Sequence, residues 1–275
     1  MSKIYDIRLP AAGEYTRVVF AAIRSMPVWI YRPKNVTNHE RIIVAVHGIS
    51  RDSLQQIQAY QDLADKLGCW LIAPEFSAKA FPGYQQLSKV NGNPRPDLAL
   101  NQLLMLWRHL LGITRLKMYL CGYSGGAQFC HRYAMLYPNL VASLVVASAG
   151  WYSFPDAGVS YPRGVAKWPR WLGRHRLNEM LKLPILILVG DRDTARNQSL
   201  RKSARLDGQQ GAHRLERAQR WFQHVKDEKQ KVMAAAPVEL RLLRGQDHEF
   251  WDNIRNSDML QYIDEFLQRN ERSTV

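Results

Sequence analysis

The sequence predicts a mostly parallel β-sheet covered by helices on both faces, interrupted by one short insertion. Three observations carry this. Short continuous apolar runs such as Arg41-Ile42-Ile43-Val44-Ala45-Val46 suit strands buried on both sides. These runs alternate with helical patterns, as parallel strands joined by helical crossovers require. The 275 residues are 46% hydrophobic and 23% charged, an ordinary globular balance at a length that supports a large core.

The elements follow in order. Lys3 to Leu9 and Tyr15 to Tyr31 carry apolar residues with little helical period and read as strands entering the sheet. After the strand ending at His47-Gly48, a helical pattern runs from Ser53 to Leu67 and closes at Gly68, a suitable C-cap. A strand at Cys69 to Ala73 is stopped by Pro74, and a loop rich in Pro, Gly and Asn runs from Phe81 to Pro96. Asp97 reads as the N-cap of a helix through Leu111, ended by Gly112. Strand Lys117 to Cys121 leads into a serine-containing turn, then a helix from Gly126 to Leu136 and a strand from Val141 to Ala147.

Residues 151–182 break the rhythm. This stretch holds Trp151, Trp168 and Trp171 among Pro155, Pro162, Pro169 and several arginines. The alternation resumes with strand Pro184 to Val189, helical segments between Asn197 and Ala236, strand Val238 to Leu243 and an amphipathic helix from Asp258 to Gln268. No repeat or linker divides the chain, so residues 1–275 are expected to form one domain with a lid inserted at about 151–182.

Composition narrows the classes. No apolar stretch approaches the roughly 20 residues that span a bilayer, and the first residues lack the pattern of a secretory signal. Cys69, Cys121 and Cys130 form an odd set without a C-x-x-C pair, which suggests reduced, buried thiols and a cytoplasmic protein. Lys and Arg total 38 against 24 acids, a formal charge of +14. A basic solvated surface explains this more simply than nucleic acid or anionic membrane, and no nucleic-acid motif accompanies it. The basic region with Arg196, Arg201, Lys202, Arg205, Arg214, Arg217 and Arg220 is interrupted by Asp207, Glu216, Asp227 and Glu228, and reads as a solvated face.

The chemistry centres on Gly122-Tyr123-Ser124-Gly125-Gly126. A strand feeding Gly-x-Ser-x-Gly and then a helix forces a sharp turn with small residues two before and two after the serine. The hydroxyl then projects from the carboxyl edge of the sheet. A serine nucleophile needs a general base, and the base needs an orienting carboxylate. After one later strand comes Gly190-Asp191-Arg192-Asp193, and after the next Gly245-Gln246-Asp247-His248. Of eight histidines, only His248 follows the strand after the acid. Asp193 is preferred as the acid. Asp191 is expected to bond within its turn, and Asp247 is a weaker candidate because neighbours in a loop rarely face each other. Backbone donors for an oxyanion are expected at Gly125 and at Ile49, with Ser50 as the alternative.

Taken together, His47-Gly48, Gly122 to Gly126, Gly190-x-x-Asp193 and His248 resemble the α/β-hydrolase superfamily across nearly the whole chain, and more narrowly its bacterial esterase and depolymerase-like members. The resemblance implies a Ser124-His248-Asp193 triad acting on an ester or thioester by acyl transfer, with no cofactor or metal. Tyr123, Trp151, Tyr152 and Trp168 are candidates for lining the substrate pocket. The basic 151–182 segment suits a small-molecule ester carrying a carboxylate or phosphate. The competing expectations are a hydrolase-like binding protein without chemistry and a basic-surface protein that binds nucleic acid or anionic membrane.

Overall fold

The computed structural model describes residues 8–23, 25–88 and 92–272. Among these, eight strands form one sheet: β1 (Tyr15–Val18), β2 (Val28–Tyr31), β3 (Arg41–Val46), β4 (Trp70–Pro74), β5 (Lys117–Tyr123), β6 (Val141–Ala147), β7 (Ile185–Gly190) and β8 (Val238–Leu243). The helices are α1 (Ser53–Leu67), α2 (Pro96–Leu111), α3 (Gly125–Leu136), α4 (Leu177–Met180), α5 (Ala204–Gln210), α6 (Arg214–Lys231), α7 (Phe250–Arg255) and α8 (Met259–Arg272). The strand order is β1-β2-β4-β3-β5-β6-β7-β8. β1 and β2 run antiparallel to their neighbours, and every other pairing is parallel.

Because successive strand residues face opposite sides, the central strands feed two cores. Ile42, Val44, Leu120, Val146 and Ile187 face α2, α3 and α6, and pack with Trp107, Phe129 and Trp221. Ile43, Ala45, Cys121, Val145 and Leu188 face α1, α7 and α8, and pack with Tyr60, Phe250 and Phe266. That is why these strands read as continuous apolar runs. Fully burying each valine, leucine, isoleucine or phenylalanine among them contributes roughly 1.5–3 kcal/mol. Helix ends follow their caps: Asp52 accepts from the N–H of Gln55 at the start of α1, and Gly68 ends it at φ 60°, a left-handed conformation that suits glycine.

Several expectations shift. The strand read across Tyr15 to Tyr31 is two strands, since the chain turns through a 3₁₀ segment at Ala21–Ile23 before β2. The strand read at Lys3 to Leu9 falls largely outside the described residues, as do residues 89–91 of the Phe81 to Pro96 loop. α2 begins at Pro96, whose fixed φ suits a first turn. Asp97 is therefore not its cap. It is buried, and it accepts hydrogen bonds from Arg95 and from the Tyr137 hydroxyl.

Between β6 and β7, residues 151–182 contain the short α4, a 3₁₀ turn at Arg170–Leu172 and an isolated bridge between Ser160 and Ala166. The segment is tied to the body by Tyr161 Oη donating to the Gln86 carbonyl and Trp221 Nε1 donating to that of Ser153. All three cysteines are unpaired and buried. No helix among the described residues is long and apolar enough to cross a membrane.

Candidate active site

β5 delivers Ser124 into a turn with φ 52° and ψ −109°, a conformation that strains any residue with a Cβ. The turn closes because its flanks are glycine. A Cβ on Gly122 would lie 2.5 Å from the Gly126 backbone, and one on Gly126 would lie 2.0 Å from the carbonyl oxygen of Val46. Ser124 N–H donates to the Ala147 carbonyl at 2.8 Å, which anchors the turn to β6. α3 starts immediately at Gly125, so free N–H groups of its first turn surround the serine.

The histidine and the acid come from the next two strand ends. Gly190, the last residue of β7, packs so tightly on the β8 loop that a Cβ there would lie 2.2 Å from the Gln246 carbonyl oxygen. That contact sets the two loops side by side. His248 Nδ1–H donates to Asp193 Oδ2 at 2.9 Å, and His248 Nε2 accepts from Ser124 Oγ at 3.0 Å. The Tyr123 ring stacks on the imidazole with centroids 5.4 Å apart. Asn253 of α7 donates to the carbonyls of Asp247 and Glu249, clamping the backbone on both sides of His248. Asp191 instead accepts from Gly245 N–H at 2.8 Å, and Asp247 accepts from Glu249 N–H, so neither reaches the imidazole.

Asp193 is fully buried, and its second oxygen lies 3.4 Å from the Arg214 guanidinium. Arg214 also donates to Ser199 Oγ. A buried carboxylate is expensive unless paired, and this guanidinium supplies the pairing. Here the basic stretch departs from its expected role as a solvated face. Arg214 and Arg217 are buried, the latter donating to the Gly150, Arg201 and Gly211 carbonyls and to Asp207. The signal was present in the sequence: Arg214, Arg217, Ala218, Trp221 and Val225 recur at helical spacing, which puts both arginines on the core face of α6.

The His47-Gly48 turn lies across the serine, where a Cβ on Gly48 would sit 3.4 Å from that of Ser124. His47 is a structural part of this turn. Its Nδ1–H donates to the Gly48 carbonyl and its Nε2 accepts from Phe76 N–H. Burial pushes its pKa down to about 4, so the ring is neutral. The Tyr84 hydroxyl donates to the carbonyls of both His47 and Gly48 at 2.9 Å, and Arg51 donates to the carbonyl of Phe76. Tyr84 and Arg51 were not read from the sequence, because no motif marks residues that hold a loop through its carbonyls.

Ile49 borders two pockets that open beside Ser124. Tyr123 lines one and Trp151 the other. Ser50 borders the Tyr123 side only. Two expected lining residues lie elsewhere. Tyr152 is fully buried and stacks on Trp221 at 4.7 Å. Trp168 packs edge-on against Tyr161 and His175. Of residues 151–182, Trp151 alone reaches these two pockets. An arrangement of this kind can move a hydroxyl proton to an imidazole, hold the resulting cation against a carboxylate, and offer backbone N–H groups to a developing negative oxygen.

No family model matches the sequence, and no curated protein is similar to it. Solved structures are similar over nearly the whole chain. Poly(aspartic acid) hydrolase-1 from Sphingomonas sp. KT-1 superposes with a TM-score of 0.75 at 24% identity, covering 94% of this chain and 100% of that one. LpqC, a poly(3-hydroxybutyrate) depolymerase from Bordetella parapertussis, gives 0.74 at 24% identity over 94% and 95%. Est1E from Butyrivibrio proteoclasticus gives 0.54 at 14% identity over 94% and 99%. With this strand order and serine turn, the protein has the α/β-hydrolase fold.

Proposed function

We propose that this protein is a serine hydrolase that cleaves a carboxylic ester or thioester through an acyl-enzyme on Ser124. The observation that carries the reading is His248, whose two ring nitrogens bridge Ser124 Oγ at 3.0 Å and Asp193 Oδ2 at 2.9 Å. Structural neighbours described as a depolymerase, an arylesterase and an S-formylglutathione hydrolase support it.

In this mechanism His248 Nε2 takes the Ser124 proton as Oγ attacks the carbonyl carbon. Asp193 holds the imidazole in the tautomer that exposes Nε2 as acceptor and then stabilises the imidazolium. The N–H groups of Gly125 and Ile49 receive the oxyanion. His248 returns its proton to the departing oxygen or sulfur. It then activates water, whose oxygen becomes part of the released acid while Ser124 regains its proton. Residues 151–182 serve the site through Trp151, as a fixed wall.

A panel of short p-nitrophenyl acyl esters tests the proposal. The wild type turns them over and a fluorophosphonate labels Ser124, whereas Ser124→Ala abolishes both. A wild type that neither hydrolyses any ester nor takes the label leaves a binding protein on a hydrolase fold.

A further inference from the structure

The two pockets beside Ser124 differ in charge and in their relation to His248. The first, about 210 Å³, is bordered by His248, Tyr123, Phe250, Gln55, Gln56 and Glu249. The second, about 160 Å³, is bordered by Gln85, Gln128, Gly150, Trp151, Ser199 and Arg201. In acyl transfer the imidazolium must hand its proton to the departing atom, so the leaving group belongs on the His248 side. The acyl group is left with the second pocket, and this is the pocket with a cation.

Two arginine guanidiniums lie against its aromatic wall. The Arg201 guanidinium lies 5.2 Å from the centre of the Trp151 ring, and that of Arg132 lies 4.2 Å from the same centre. Arg201 is exposed and makes no ion pair with any described residue. Arg132 is fully buried without a carboxylate. It donates to Ser153 Oγ and to the carbonyls of Gln85 and Gln128, and its Nη2 has no partner among the described residues. Burial pushes its pKa down to about 10. A buried cation without a counter-ion is unfavourable; Arg132 does not itself border the pocket, and it adds positive potential to the Trp151 wall that an anion there would meet. A neighbouring pocket shares Trp151 and Arg201 and is bordered also by Arg163 and Arg205.

We propose that the Trp151 pocket is a carboxylate-binding acyl subsite in which Arg201 contacts the anion. The substrate is then an ester whose acyl chain ends in a carboxylate a few bonds from the scissile carbonyl. The pocket's volume equals about five waters at roughly 30 Å³ each, enough for the chain of a short dicarboxylic half-ester. Glu249 on the opposite side selects a neutral or cationic leaving group. This assignment rests on the acyl-transfer reading above.

Monoethyl glutarate and its uncharged counterpart ethyl 5-oxohexanoate, followed in a pH-stat, test it. Hydrolysis breaks the ester C–O bond, joins water oxygen to the acyl carbon, frees ethanol and releases one proton per turnover. Wild type favours the glutarate half-ester by about tenfold or more in kcat/KM, as expected for a hydrogen-bonded charge pair. Arg201→Ala reduces that ratio by about tenfold, and Arg201→Lys restores part of it. Arg115→Ala, which removes an exposed arginine before β5, keeps the ratio and so excludes net charge as its cause. Because each variant is judged by a ratio, loss of folded protein cancels. A wild-type ratio near one, or a ratio unmoved by Arg201→Ala, overturns the subsite while hydrolysis of the neutral ester leaves the enzyme reading standing. Failure of both esters together with failure of fluorophosphonate labelling overturns both.

Discussion

Asp193 divides its two oxygens between an imidazole and a guanidinium, and the two partners make different demands on it. The bond to His248 sets a tautomer, while the Arg214 pair offsets the burial of a charge. The consequences separate on mutation. Asp193→Asn loses the acceptor that fixes the imidazole, and kcat on a p-nitrophenyl ester falls by about 10³–10⁴. Arg214→Leu leaves the buried carboxylate with His248 as its remaining partner, and urea unfolding shows a loss of up to about 3–5 kcal/mol. Asp193→Leu combined with Arg214→Leu recovers most of that loss, because neither charge then remains buried alone. Equal instability of the double variant and Arg214→Leu contradicts the pairing argument.

At the scale of elements, the site depends on backbone approaches that only glycine permits. Gly190→Ala places a Cβ 2.2 Å from the Gln246 carbonyl oxygen, so the β7 and β8 ends must separate. Overpacking of this kind costs about 1–3 kcal/mol. A lower Tm together with slower fluorophosphonate labelling of Ser124 is the expected pair of results, and a lower Tm with unchanged labelling means that the loops move without parting Ser124 from His248.

The same elements explain how much was legible in the sequence. Gly122 and Gly190 sit at strand ends, Gly126 opens α3 and His248 lies in the loop after β8, junctions where the backbone path fixes position, so the sequence carries their arrangement. The parallel strands β3 to β7 were legible because two buried faces leave no polar alternation. The hairpin at β1 and β2 was not, since an apolar stretch hides a reversal that only tertiary pairing reveals. Tyr84, Arg132 and Arg214 were not foreseen as supports of the site, because each acts on its neighbours only after distant segments have packed together.

For the molecule as a whole, two buried histidines couple stability to pH. Burial holds the His47 pKa near 4, against an ordinary value of 6.5. Burial also pushes that of His131 well down, where its ring packs against Tyr152 and Trp221 of the core on the α2, α3 and α6 side. At His47 the unfolded chain binds, below about pH 6.5, a proton that the folded chain refuses until about pH 4, so this stability is full above 6.5 and is lost as pH falls through the window. At 1.36 kcal/mol per unit, His47 alone accounts for about 3 kcal/mol across the whole interval. The urea midpoint therefore drops between pH 7 and pH 5, and drops less in His47→Gln. Parallel curves for the two proteins remove His47 from the explanation.

The 124 residues that separate Ser124 from His248 also place the site in time. At a synthesis rate of about 5–20 residues per second, the serine leaves the ribosome roughly 6–25 s before its histidine. During that interval β5 is already present while α3, β6, β7 and β8 are still emerging, and until residue 248 is made the hydroxyl lacks the imidazole that takes its proton. On the proposed mechanism a nascent chain is therefore inert toward esters, and reactivity arrives only with the final docking of β8 and its loop.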